Sequence, residues 1–308
     1  MMFRNSTRLL FTNFDKMWKL LVYHILSIGL TFGLIAIFYK DYLSIAQYAY
    51  NETGLASVFQ SGTIIGSGIA KALTLIADFV IVFFKQLFAT NIWKGIYFVF
   101  MSFYFLPVLL NIGKYVTCEM MYGYMSSCRK QSFTGTFLKT LGSSIVYSII
   151  KVIYSLPFNA LIVLSMWGLT RVDNPVFDYI MPFAFVILPA LLMAFKALFN
   201  AGWAPAKVVY NHNIFSSFTI GIRAVFRKVA AVFSTTFIFY LLAIVISMIL
   251  GAYSIIIILP IMSPMIYIFE MVMFFSSQGM RYYIDADNII SPKKLEEIDK
   301  IEDAKYLL

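Results

Sequence analysis

Charge is scarce in this chain. Only 13% of its residues are Asp, Glu, Lys or Arg, against about 25% in a water-soluble domain. Cysteine and histidine are scarcer still, with two of each: Cys118, Cys128, His24 and His212. Two cysteines make no disulfide framework, and both are expected as free buried or interfacial thiols. With no C-x-x-C and no histidine cluster, no metal site is expected. No nucleophile–base pair or carboxylate pair falls on one side of the predicted membrane, so neither an enzyme nor a cofactor is expected. What is abundant is apolar: 61% of the residues are hydrophobic and the mean hydropathy is +0.82. That composition excludes a soluble enzyme, a disordered chain and a secreted disulfide scaffold. It indicates a polytopic membrane protein.

A helical span needs about 20 mostly apolar residues. Six segments qualify: 18–39, 95–113, 144–168, 179–199, 229–250 and 254–275. They are long and uniformly apolar, unlike the short alternating segments of a barrel, and backbone groups in lipid must bond within their own segment. Arg4, Arg8, Lys16 and Lys19 precede the apolar run Leu20–Tyr39. That run exceeds the roughly 7–15 residues of a signal-peptide core, so an uncleaved first span is expected.

The net charge of +9 would suggest nucleic acid on a soluble protein. Here the basic residues lie between apolar spans and report orientation, and no nucleic-acid partner is expected. With six spans and both ends cytoplasmic, 18 of the 24 Lys and Arg fall inside, five outside and Lys151 within a span. A seventh apolar stretch, 64–92, carries Lys71, Asp78 and Lys85 seven residues apart, a narrow charged stripe on a helix. Were it to cross, the basic groups around Lys130 and Arg227 would oppose the N-terminal group. It is therefore expected as a re-entrant or interfacial helix on the outer side, with Gly62, Gly66 and Gly68 allowing close packing at its start. The expected fold is all-α: a polytopic membrane protein with about six transmembrane helices, this outer helix and cytoplasmic amphipathic helices. Residues 1–284 form the membrane domain, with an outer insertion at 40–92, and residues 285–308 an acidic cytoplasmic tail.

An internal repeat is suggested by Leu106-Pro107, Leu188-Pro189 and Leu259-Pro260 in the even-numbered spans, which lead to Gly123, Gly202 and Gly279. The odd-numbered spans follow basic, partly amphipathic stretches at Ser6–Lys19, Phe133–Lys139 and Phe215–Lys228. The unit is an interfacial helix, a span, an outer turn and a kinked span.

The stretch LPALLMAFKALFNAGWAPAKVVYNHNIFSSFTIGIRAVFRKVAAVFST runs from Leu188 to Thr235. In it a Pro-containing span leads to Ala204-Pro205, a polar turn at Asn211–Asn213 and a basic amphipathic helix. It resembles the membrane domain of bacterial glycerophosphodiester phosphodiesterases and related six-helix inner-membrane proteins, with His212 in place of their acidic turn residue. The resemblance covers about fifty residues, and the six-span layout loosely. It implies a membrane location and no catalysis, since the family's reaction belongs to a separate soluble barrel domain.

Among candidate functional residues, Glu270 stands first, because an ionisable group inside a bilayer is costly. Lys151, Lys196 and Lys114 are its candidate partners, in a transport site or a structural ion pair. Lys151 itself would bind an anionic headgroup or snorkel to the interface. Arg223, Arg227 and Lys228 form a basic face suited to anionic lipid headgroups on the cytoplasmic side. His24 is expected as a satisfied buried imidazole. Asp285-Ala-Asp287 is read as solvated tail rather than a metal motif, and Asn51-Glu52-Thr53 as a glycosylation sequon that matters only in a eukaryote. Pro292 starts a tail helix over 292–303, with Leu295, Ile298 and Ile301 on one stripe. That helix would dock a membrane or cytoplasmic partner or fold back on the basic face. The expected function is an accessory, scaffold or regulatory component of a membrane, the bacterial cell membrane on composition. The alternative is a small transporter or lipid-handling protein using Glu270 and Lys151.

Overall fold

The computed structural model describes residues 2–54, 67–172, 175–250, 254 and 258–291. They are almost wholly helical, so the all-α class holds. In chain order the helices are α1 (Met2–Thr12), α2 (Phe14–Ile35), α3 (Tyr39–Thr53), α4 (Ser67–Thr90), α5 (Ile92–Phe100) and α6 (Leu106–Ser127). Then come α7 (Phe133–Leu169), α8 (Pro175–Asn200), α9 (Trp203–Tyr210), α10 (Ile214–Phe226), α11 (Val229–Leu250) and α12 (Ser263–Gln278). A small antiparallel hairpin follows, β1 (Tyr282–Asp285) and β2 (Asn288–Ile290).

Five helical runs among the described residues are long and apolar enough to cross a membrane: Phe14–Thr53, Ile92–Ser127, Phe133–Leu169, Tyr179–Tyr210 and Val229–Met248. Only 17–28% of their most apolar stretches is buried inside the protein. Leu26, Phe32, Val163, Leu164 and Phe183 each leave at least 60% of their surface uncovered. Apolar surface on that scale needs an apolar solvent, which is consistent with an integral membrane protein.

The described chain divides into two compact units. One comprises Ile25–Leu109 and Lys151–Leu192. Here the first helical run continues past the expected end at residue 39, through a 3-10 turn at Ala36–Phe38 and on to Thr53. Protein packing sustains this extension: α3 buries Tyr42, Ile45 and Ala49 at helical spacing. Tyr42 and Ile45 cluster with Leu87 of α4, surrounded by Phe38, Phe83, Phe84 and Phe98. Lys94 pairs with Asp41 at 2.5 Å, and the Tyr42 hydroxyl donates to the Lys94 carbonyl.

The stretch 64–92, expected as a re-entrant or interfacial helix, contains one continuous 24-residue helix, α4. Asp78 on it pairs with Arg171 at 3.0 Å, and Lys85 is exposed. The Lys71 side chain, Gly62 and Gly66 lie outside the described residues, as does the tail helix expected over 292–303.

The other unit comprises the chain up to His24, Leu110–Ile150 and the chain from Met193 on. Its core joins Leu198, Ala201, Val225, Val232 and Met273, with Ala206, Ala224 and Phe274 beside them. The small residues permit a very close helix approach. A Cβ placed on Gly202 would lie 2.2 Å from the Gly221 carbonyl oxygen, so only glycine fits at this crossing. α1 buries Asn5, Ser6, Leu9 and Leu10, and the Asn5 amide donates to the Tyr282 hydroxyl at 2.8 Å. Burial pushes that hydroxyl above its usual range, and the bond from Asn5 offsets part of the effect.

Two expectations change. Leu156-Pro157 lies inside α7, so the Leu-Pro pair is not confined to the even-numbered spans. The pairs also differ in their surroundings. Leu106-Pro107 follows a π-helical turn at Met101–Phe105 and Leu259-Pro260 lies within one at Ile258–Met262, whereas Pro189 sits inside continuous α8. A proline lacks an N–H and crowds the preceding turn, which a π turn relieves. The acidic segment also does not begin as solvated tail. Asp285 ends β1, and its carboxylate accepts from the Asp287 backbone N–H and the Asn288 side-chain amide. Its role is to close a turn.

Candidate functional site

α6 and α12 are apolar helices, yet each carries one buried charged group. Lys114 is 6% exposed and Glu270 is 4% exposed, and the two form an ion pair. A lone charge at the centre of a membrane helix costs about 2.5–3.5 kcal/mol on insertion scales. Pairing is what makes both tolerable. Of the three lysines expected as partners for Glu270, Lys114 fills that role.

Aromatic groups enclose the pair. Tyr267, one turn before Glu270, offers its ring to the Lys114 ammonium at 5.5 Å from the centroid. The same ring meets the His24 imidazole edge-on, at 6.4 Å and 89°. Tyr147 of α7 is fully buried and stacks at a tilt on Tyr115 and edge-on against Trp203. The Glu270 charge reaches the hydroxyls of Tyr147, Tyr240 and Tyr267. Cys118, one turn beyond Lys114, is buried and in no disulfide, and Cys128 is half-buried, also in no disulfide, and left-handed just after α6.

Lys196 of α8 is half-buried, and the Lys114 charge acts on it. Glu119, half-buried on α6, lies within reach of the Lys139 charge.

His24 departs from expectation. It is buried, at 1% exposure, but neither ring nitrogen has a hydrogen-bond partner among the described residues. Its neighbours are the rings of Tyr23 and Tyr267, which approach from the side.

The remaining candidates lie elsewhere. Lys151 is buried on α7 in the other unit. Arg223, Arg227 and Lys228 are exposed at the end of α10 and in the turn after it. Arg227 donates to the Ser277 carbonyl at 3.2 Å, tying this turn to the end of α12. α10 is amphipathic in an inverted sense: Ser217, Gly221, Ala224 and Val225 face the protein, while Phe215 and Phe226 remain exposed. The polar turn before it is as expected, with Asn211 left-handed and Asn213 capping α10 through the Ser216 N–H.

Sequence reasoning missed two features. The first is a hydroxyl stripe on α7: Thr136, Thr140, Ser144 and Ser148, all buried. Its four-residue spacing was a readable signal, and three of these hydroxyls donate to backbone carbonyls three or four residues earlier. The second is an open cleft of about 490 Å³ between α8 and α11, lined by Met193, Tyr240, Ala243, Ile244, Ser247 and Met248. Among the described residues, no group of three His, Cys, Asp or Glu side chains is placed to hold a metal ion.

No family model, no curated protein and no solved structure matches the chain, so its functional reading rests on this geometry.

Proposed function

We propose that this protein is a non-catalytic component of the bacterial cell membrane, accessory or regulatory in kind, that works by holding an anionic ligand. In this reading it has six spans, with α12 and the segment before it as the sixth, and both ends in the cytoplasm. The observation that carries the proposal is the exposed basic face of Arg223, Arg227 and Lys228 at the end of α10, flanked by the exposed rings of Phe215 and Phe226, which suits anionic headgroups on the cytoplasmic surface. The likeness to phosphodiesterase membrane domains suits a role beside lipid metabolism without chemistry of its own.

The test is purification in mild detergent followed by mass spectrometry of everything retained. The proposal expects an anionic lipid retained in preference to a neutral one, with that preference reduced at least about tenfold when Arg223, Arg227 and Lys228 are together replaced by Gln, at about 1 kcal/mol for each basic residue near an anionic surface. A preparation that retains only a stoichiometric protein partner would overturn the ligand reading and leave a scaffold. Loss of the lipid on Lys151→Gln with no effect of the triple variant would move the site to the other unit.

A further inference from the structure

α1 and the 282–290 hairpin form the two sides of an open groove of about 520 Å³. α1 lines it from Phe3 to Thr12, and Asp285 and Asn288 line it from the hairpin. The hydrogen bond from Asn5 to Tyr282 fastens the two sides together. Arg4 and Arg8 lie one turn apart on the α1 side, both exposed. Opposite charges therefore line one groove, yet among the described residues no ion pair joins Asp285 to either arginine. Asp285 is held in place by uncharged donors, the Asp287 N–H and the Asn288 amide. Its charge is uncompensated by them, and a carboxylate has lone pairs to spare. The Thr7 and Thr12 hydroxyls donate to the Phe3 and Arg8 carbonyls, which leaves the arginines as the charged donors of this side. Beside the Arg4–Arg8 ridge runs a second one, Phe3, Thr7 and Phe11, at the same four-residue spacing, with both rings exposed.

Two cations facing a carboxylate across a groove suit a zwitterion and hold it in one direction. Like charges one helical turn apart repel, and an anion shared between Arg4 and Arg8 relieves that repulsion. The exposed phenylalanines suit the boundary between headgroups and acyl chains, where a helix leading into a first span lies. We infer that the groove seats a phospholipid whose headgroup carries both a phosphate and a primary ammonium, phosphatidylethanolamine being the simplest. The phosphate accepts from Arg4 and Arg8, the ammonium donates to Asp285, and the acyl chains run past Phe3 and Phe11. Phosphatidylglycerol offers Asp285 no cation, and the quaternary ammonium of phosphatidylcholine has no N–H to donate. This site is separate from the basic face of α10 and selects on a hydrogen-bond donor rather than on net charge.

The test uses the full chain in nanodiscs of equal phosphatidylethanolamine and phosphatidylcholine, with native mass spectrometry of the lipid retained on release. Both lipids are net neutral and share the phosphate, so attraction to the α10 face does not separate them. The expected result is a severalfold preference for phosphatidylethanolamine. Asp285→Asn keeps an acceptor for the Asp287 N–H and should abolish the preference. Asp287→Asn, an exposed acid outside the groove, should leave it intact. Arg4→Gln combined with Arg8→Gln leaves the hairpin untouched and should also remove the retained phosphatidylethanolamine. Replacing Arg223, Arg227 and Lys228 by Gln should change nothing in these discs. Equal retention of the two lipids by the wild type would overturn the inference. So would a preference that survives Asp285→Asn or the double arginine variant, or one that Asp287→Asn removes as well.

Discussion

The Lys114 ammonium and the Glu270 carboxylate meet inside the protein, 156 residues apart in sequence, and fasten α6 to α12. Each depends on the other because neither has bulk water to turn to. Glu270→Leu or Lys114→Met alone is expected to destabilise the protein by about 3–5 kcal/mol, the usual result of leaving one buried charge uncompensated. The double variant should recover most of that loss. Thermal unfolding midpoints in one detergent compare the four proteins. A Glu270→Leu single variant as stable as the wild type would show that the pair holds nothing together.

His24 behaves in the opposite way. A buried polar group without a partner costs about 1–3 kcal/mol. His24→Leu should therefore leave the midpoint unchanged or raise it, since leucine loses no hydrogen bond and keeps the contact with Tyr267. A clear fall in the midpoint would mean the imidazole makes a stabilising bond.

The Gly202–Gly221 crossing predicts a sharp positional contrast. Gly202→Ala sets a methyl group against a backbone oxygen and is expected to cost about 1–3 kcal/mol, as overpacking does. Gly142→Ala meets nothing within 4 Å and adds helix propensity, so it should be neutral or slightly stabilising. Equal midpoints for the two variants would remove the close approach from the account.

Orientation is open to direct labelling. In a background with Cys118 and Cys128 replaced by Ala, Lys130→Cys should react with a membrane-impermeant maleimide only from the cytoplasmic side. Lys94→Cys should react only from the outside. The reverse pattern, or both on one side, would contradict the six-span arrangement.

The helical membrane class was legible in the sequence because runs of some twenty apolar residues have few alternatives in lipid. That Glu270 needed a partner was also legible. The choice of Lys114 was not: three lysines sat at comparable depths, and only the packing of α6 on α12 selects one. The orphaned nitrogens of His24 left no trace, since sequence gives no view of which neighbours are rings and which are acceptors. The extension of the first helix to Thr53 was hidden because tertiary packing on α4, rather than lipid, sustains α3. The 285–290 hairpin escaped notice because strands of three or four residues carry almost no period to read. The α8–α11 cleft is a property of two helix faces together, and neither face alone differs from any other lipid-facing surface.

The central claim is that the basic face of Arg223, Arg227 and Lys228 gives the protein a preference for anionic lipid. Nanodiscs containing equal amounts of phosphatidylglycerol and phosphatidylcholine measure it most directly, with native mass spectrometry of the lipid that stays bound on release. The account predicts that the wild type keeps the anionic lipid in preference by about tenfold or more, the factor that about 1.4 kcal/mol confers, and that a variant with Gln at all three positions keeps the two lipids equally. Equal retention by the wild type, or an undiminished preference in the triple variant, would contradict it.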